Sequence, residues 1–141
     1  RQKYIIIGEK PGVLKGVNRQ ELYKLFAELG YTNGCEVGVE KGKNAQDMFE
    51  CIPNLKLYAV DPYKQHARCS NEATRYLLHW GEDYLRAIKR QAQKRLQDKN
   101  AVIIEKFSED AARDIADNSL DFVYIDADHS YDFVMQDIIL W

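Results

Sequence analysis

The stretch "CEVGVEKGKNAQDM", Cys35 to Met48, decides how this chain is read. "CEVGVE" has the apolar alternation of a strand, and "NAQDMFECI" reads as a short helix with Asn44 as its cap and Pro53 just beyond its end. Between them Gly38 and Gly42 stand four positions apart. Taken alone, the loop is a tight strand-to-helix turn in which glycine permits backbone shapes that other residues resist. A dinucleotide fingerprint needs G-x-G-x-x-G, but position 40 is Glu and the pattern is G-x-x-x-G. Glu36 and Glu40 would also meet a pyrophosphate with two negative charges. Such acids suit a cationic or hydroxyl-rich ligand.

Working outward, the same alternation recurs. "NRQELYKLFAELG" places Leu22, Leu25, Phe26 and Leu29 on one helical face, with Asn18 and Glu21 as a cap pair and Gly30 as the stop. "KLYAVDP" is a second strand ending at Asp61. Residues 71–98 read as helix in two pieces meeting at Gly81. "AVIIEKF" is a third strand whose apolar run suits a sheet buried on both faces. "SEDAARDIA" reads as a helix capped by Ser108, "LDFVYIDA" as a fourth strand, and "SYDFVMQDIILW" as the last helix. Helix followed by β-α-β-α-β-α-β-α predicts an α/β fold, a mostly parallel sheet with helices on both faces. Ligands on such sheets bind beyond the carboxyl ends of the strands, where strand order reverses. Four segments fall there: Glu36 to Gly42, Asp61 onward, Phe107 to Asp110, and Asp126 to His129. Residues 1–16 read as an irregular lead-in with a short strand at "KYIII", and residues 17–141 as one domain.

The bulk numbers exclude several classes. At 141 residues, 45% apolar and 30% charged, the chain can fold as one domain and has no disordered composition. A net charge of -2 gives no reason to expect nucleic acid as a partner. No apolar run approaches the roughly 18 residues of a membrane span. Cys35, Cys51 and Cys69 show no metal-type spacing, and so sparse a set suits a reducing, cytoplasmic setting. The basic helix "LRAIKRQAQKRLQDK" reads as a solvated face, with contact to an anionic substrate as its alternative.

"EVGVEKG", followed about twenty residues later by "YAVDPY", resembles the cofactor motifs of class I methyltransferases that use S-adenosylmethionine. "LDFVYIDADHSYDFVMQDIILW" is similar to the macrocin O-methyltransferase-like group, relatives of the catechol and caffeoyl-CoA enzymes. The resemblance spans residues 18–141 and implies a Rossmann-like methyltransferase fold. It implies that the loop with Glu36, Gly38 and Gly42 wraps the methionine part of the cofactor, with Glu36 near its amino group. Asp61 matches the acid that holds the ribose; its alternative is a turn residue before Pro62. Tyr63 flanks the adenosine or is a surface aromatic, and Ser108 and Glu109 contact adenine or serve only the helix start. Asp126 matches a ligand of a divalent cation, usually magnesium, and Asp128 or His129 takes the acceptor's proton. If the chain stayed extended, Asp126 and Asp128 would share a side. The implied reaction is O-methylation of a small hydroxylated acceptor by attack on the sulfonium methyl.

The family fold has seven strands, and only four plus an N-terminal helix are expected here. The fourth strand would then be an open edge, covered by further residues or by a second copy of the chain. Two other readings stay open: a nucleotide- or NAD-binding oxidoreductase, and a cofactor-binding remnant without chemistry.

Overall fold

A computed structural model describes residues 18–64 and 81–141. The expected strand at "KYIII" and the first piece of the long helix lie outside these residues. The described elements are α1 (Arg19–Glu28), β1 (Asn33–Val37), α2 (Lys43–Cys51), β2 (Lys56–Val60) and α3 (Glu82–Leu96). They continue with β3 (Ala101–Ile104), α4 (Ser108–Ala112), β4 (Phe122–Ile125) and α5 (Tyr131–Leu140). All strand pairs are parallel, in the order β3-β2-β1-β4. This is the α/β, Rossmann-like arrangement expected from the alternation.

Strand alternation sorts the core into two layers. Leu57, Ala59 and Phe122 face one way, packed with Tyr23 of α1, Ala45 and Met48 of α2, and Ile88, Ala92 and Leu96 of α3. Cys35, Val37 and Val60 face the other way, with Ala111 of α4 and Trp141 after α5. Helices therefore cover both faces, as parallel strands require. Aromatic rings knit α1 to the sheet: Phe26 stacks on Phe122 with centroids 4.5 Å apart.

Helix ends follow local chemistry where the sequence is explicit. The Asn18 side chain accepts from the Glu21 N–H at 2.9 Å. At the far end, the Gly30 and Tyr31 N–H groups bond the Ala27 and Phe26 carbonyls at 3.0 and 2.9 Å, a Schellman closure. Gly81 precedes α3, at the break the sequence marks.

Several expectations are corrected. The buried residue of α1 is Tyr23, whereas Leu29 is 55% exposed, because the helix turns its Tyr23 and Phe26 side to the sheet. Asn44 does not cap α2: Gly42 holds that position and Asn44 is buried inside the first turn. Phe107, not Ser108, precedes α4, and the helix stops at Ala112. β3 is an outer strand of the described sheet, and Val102 is 42% exposed, so this strand is not covered on both faces. β4 is the other outer strand, and α5 exposes Tyr131, Ile138 and Ile139. No helix among the described residues is long and apolar enough to cross a membrane.

Candidate functional site

The chain runs from β1 outward to β2 and β3, then returns to the opposite side of β1 with β4. Strand order therefore reverses between β1 and β4. The backbone is tightest at that point. Gly38, with φ at +93°, leaves β1 so close to β4 that an added Cβ would lie 2.3 Å from the Asp126 carbonyl oxygen. No side chain fits between these two strand ends, so the glycine is required by both conformation and space.

Glu36 comes from the last turn of the β1 pleat and points toward α1 and α2. It is 1% exposed. Its Oε1 accepts from Asn44 Nδ2 at 2.7 Å, and its Oε2 is buried without any hydrogen-bond partner. Asn44 Oδ1 in turn accepts from the Tyr23 hydroxyl and from the Arg19 guanidinium, the latter at 3.3 Å. Burial pushes the Glu36 carboxyl up to about 8; Asp126 and Asp61 add to the rise, while Asn44 and Arg19 oppose it. A carboxyl held this way retains a proton near neutrality unless a cation arrives.

Asp61 stands just past β2 and organises the glycine loop. Its Oδ2 accepts from the Val39 and Glu40 N–H groups at 3.1 and 2.9 Å, and its Oδ1 from the Tyr63 N–H at 2.8 Å. Burial raises its pKa, and these backbone donors oppose the rise. A carboxylate oxygen has two lone pairs, so Oδ1 retains one acceptor position. Gly42, at φ +73°, presents its open side to α3: a Cβ there would lie 3.1 Å from the Ala92 Cα. Tyr63 is no surface aromatic. It is 6% exposed, packed into the core with its hydroxyl unpartnered. Glu40, by contrast, faces solvent and pairs with Lys41 at 2.8 Å.

The remaining predicted residues separate into two groups. Ser108 turns to α5: its hydroxyl donates to Asp137 and accepts from Trp141 Nε1 at 2.8 Å. Glu109 is half-buried beside it. Asp126 pairs with His129, Oδ1 to Nε2 at 3.2 Å, and the His129 side chain is 78% exposed. β4 ends at Ile125, so the chain is no longer extended at 126–128, and Asp128 turns away to accept from the Ser130 N–H at 2.8 Å. The condition of an extended chain under which Asp126 and Asp128 would share a side is not met, since the chain bends at Ala127 and the two acids have separate partners. Among the described residues no group of three or more His, Cys, Asp or Glu side chains could hold a metal ion. These residues do not fit a magnesium site, which wants several oxygen ligands around one ion.

A family profile described as a methyltransferase domain matches residues 35–141, from β1 to the end of the chain. The chain belongs to this methyltransferase family. Membership implies S-adenosylmethionine as the methyl donor. No curated protein matches the sequence. Among solved structures, the chain is similar to a crystal structure described as a "putative caffeoyl-CoA O-methyltransferase" from Staphylococcus aureus, at 14% identity and a TM-score of 0.62. That match covers 94% of this chain and 54% of the other, so the chain spans about half the length of the structure it matches. At this identity the likeness carries the fold and no more.

The site residues fit the methyltransferase cofactor on physical grounds. A buried, unpartnered carboxylate oxygen needs a donor, and an amino acid's ammonium is one. The spare acceptor position on Asp61 suits a hydroxyl. The sequence pointed to both acids but not to Asn44, Tyr23 and Arg19 as the support of Glu36. One signal was available: Asn44 lies eight positions after Glu36, where the first turn of the following helix passes the strand end.

Proposed function

We propose that this methyltransferase domain binds S-adenosylmethionine over the carboxyl ends of β1, β2 and β4 and serves O-methylation of a small hydroxylated molecule. The observation that carries the reading is Glu36 Oε2, an acceptor buried with no partner at the strand crossover. Glu36 binds the ammonium of the methionine part, and Asp61 Oδ1 accepts a ribose hydroxyl. Gly38 keeps the floor between β1 and β4 free of side chains. Ser108 and Glu109 border the adenine end through the start of α4, with the Ser108 hydroxyl already committed to α5.

When bound, the cofactor supplies a sulfonium methyl whose leaving group is a neutral thioether, so no acid is needed to expel it. The protein's work is to align the acceptor, exclude water and remove a proton. We assign that last task to His129. Carboxylates only accept, so the Asp126 contact puts the imidazole proton on Nε2 and leaves Nδ1 as the basic nitrogen. Asp126 then stabilises the imidazolium that forms. Asp128, tied to the start of α5, holds the loop that carries His129.

Calorimetry with S-adenosylhomocysteine, and with NAD as the competing ligand class, tests the binding half of this reading. Saturable binding of S-adenosylhomocysteine that weakens in Asp61→Ala supports it. Binding of NAD in its place, or unchanged affinity in Asp61→Ala, counts against it. A methyl-transfer assay on small phenols and alcohols, with a chelator in one arm, tests the chemical half. Activity that survives chelation and falls in His129→Ala supports the proton-transfer role.

A further inference from the structure

We infer that Asn44, clamped by Arg19 and Tyr23 of α1, is the positioning residue that sets Glu36 so that Oε2, the oxygen without a partner, is turned to the cofactor's ammonium. The inference rests on the proposed cofactor site and deepens it. The argument is one of donors and acceptors. An amide side chain has one end that accepts and one that donates, and its neighbours decide which end faces which. Here the choice is forced. Arg19 can only donate, and it lies 3.3 Å from Asn44 Oδ1. The Tyr23 hydroxyl donates to the same oxygen. The opposite end, Nδ2, must then face Glu36, where it donates to Oε1 at 2.7 Å.

This chain of contacts fixes Glu36 in two ways. Oε1 already has a donor, so Oε2, the buried atom with no partner, is the oxygen that gains most from a proton or cation. Because both oxygens belong to one rigid group, locking Oε1 also locks the direction of Oε2. The network spans elements apart in sequence, since Arg19 and Tyr23 of α1 lie 17 and 13 residues before the glutamate and Asn44 of α2 lies eight after it. α1 thereby acts on the cofactor site without touching the cofactor.

Glu36 is faced from every packed element by charge or titratable groups: Arg19 and Tyr23 from α1, Asp61 and Tyr63 beyond β2, and Asp126 beyond β4. Ammonium binding favours the ionised carboxyl, so it expels the Oε2 proton wherever that proton is present. Affinity for S-adenosylhomocysteine should therefore rise with pH towards about 8, the value to which Glu36 is raised, before loss of the ligand's own ammonium proton lowers it again.

The experiment measures S-adenosylhomocysteine binding by calorimetry from pH 6 to 9 for the wild type, Asn44→Ala, Tyr23→Phe and Glu36→Gln. Removing the Asn44 donor destabilises the carboxylate form, so the midpoint of the affinity curve moves to higher pH in Asn44→Ala. A move of about one unit makes binding at pH 7 roughly tenfold weaker, and the gap between the two curves narrows to about twofold at pH 9. Tyr23→Phe keeps the ring and loses the clamp, so it moves the midpoint the same way by less. Should Asn44→Ala fail to fold, Tyr23→Phe carries the test. Glu36→Gln should give weak binding with no rise between pH 6 and 8. A purely structural Asn44 would weaken binding equally at every pH with the midpoint unmoved, and that result overturns the inference while leaving the cofactor site standing. A wild type that binds no S-adenosylhomocysteine overturns the cofactor reading and this inference together.

Discussion

Gly38 and Asp126 are in backbone contact across the point where the sheet reverses direction, with only 2.3 Å between the place of a Gly38 Cβ and the Asp126 carbonyl oxygen. The obstacle is backbone held by the ladder bond from the Asp126 N–H to the Val37 carbonyl at 2.8 Å, so it cannot step aside like a flexible side chain. Gly38→Ala should cost about 2–4 kcal/mol, combining the positive-φ penalty with overpacking. Urea denaturation checks this; a loss below about 0.5 kcal/mol, the ordinary surface range, would show that the two strand ends are looser than described.

Asp61 joins the loop to β2 through three backbone N–H groups. Asp61→Ala leaves all three without that acceptor and should cost about 1–3 kcal/mol in stability as well as weakening the cofactor site. Asp61→Asn retains one carbonyl oxygen and should lose less. Equal stability of the two variants would mean that the loop does not depend on this carboxylate.

Glu36 makes the ligand-free protein sensitive to alkali. Its folded pKa is raised to about 8, above the ordinary carboxyl value, so the folded state holds a proton that the unfolded state has lost. That contribution is full below the unfolded pKa of about 4.3 and is lost as pH rises towards 8. Asp61 and Asp137, also raised by burial, act in the same direction, and Asp121, lowered by the Thr32 and Asn33 N–H groups, acts in the opposite one at acid pH. Denaturation at pH 5.5 and 8.5 should show a fall in stability that is smaller in Glu36→Gln. An identical fall in both proteins would place the titrating group elsewhere.

Ser108 links α4 to α5 by donating to Asp137, which is 4% exposed, and by accepting from the Trp141 indole. Ser108→Ala leaves a buried carboxyl and an indole N–H without this partner, at a cost of about 1–3 kcal/mol. The Trp141 emission should shift as its surroundings change. A stable variant with unaltered emission would detach Ser108 from this role.

The parts of this molecule that the sequence made legible are those governed by local rules. Alternating strands and helices, the Asn18 cap, the Gly30 stop and the placing of Glu36, Asp61 and Asp126 at strand ends all follow from periodicity and turn chemistry. The parts that were not legible depend on distant partners. Asn44 and Ser108 are good capping residues, and each instead turns its side chain to a group outside its own helix. Tyr23 was not among the residues read as the apolar face of α1, yet its hydroxyl bonds a residue 21 positions away. At Asp126 and Asp128 the strand pattern was extended past the residue where the strand ends.

The central claim is that Glu36 faces a cofactor's ammonium. Calorimetric titration of S-adenosylhomocysteine at pH 8 into the wild type and Glu36→Gln tests it most directly. The account predicts saturable binding to the wild type and a loss of roughly tenfold or more in Glu36→Gln, the size expected for one buried charge-assisted hydrogen bond. Equal affinity in the two proteins, or no binding by a folded wild type, would contradict it.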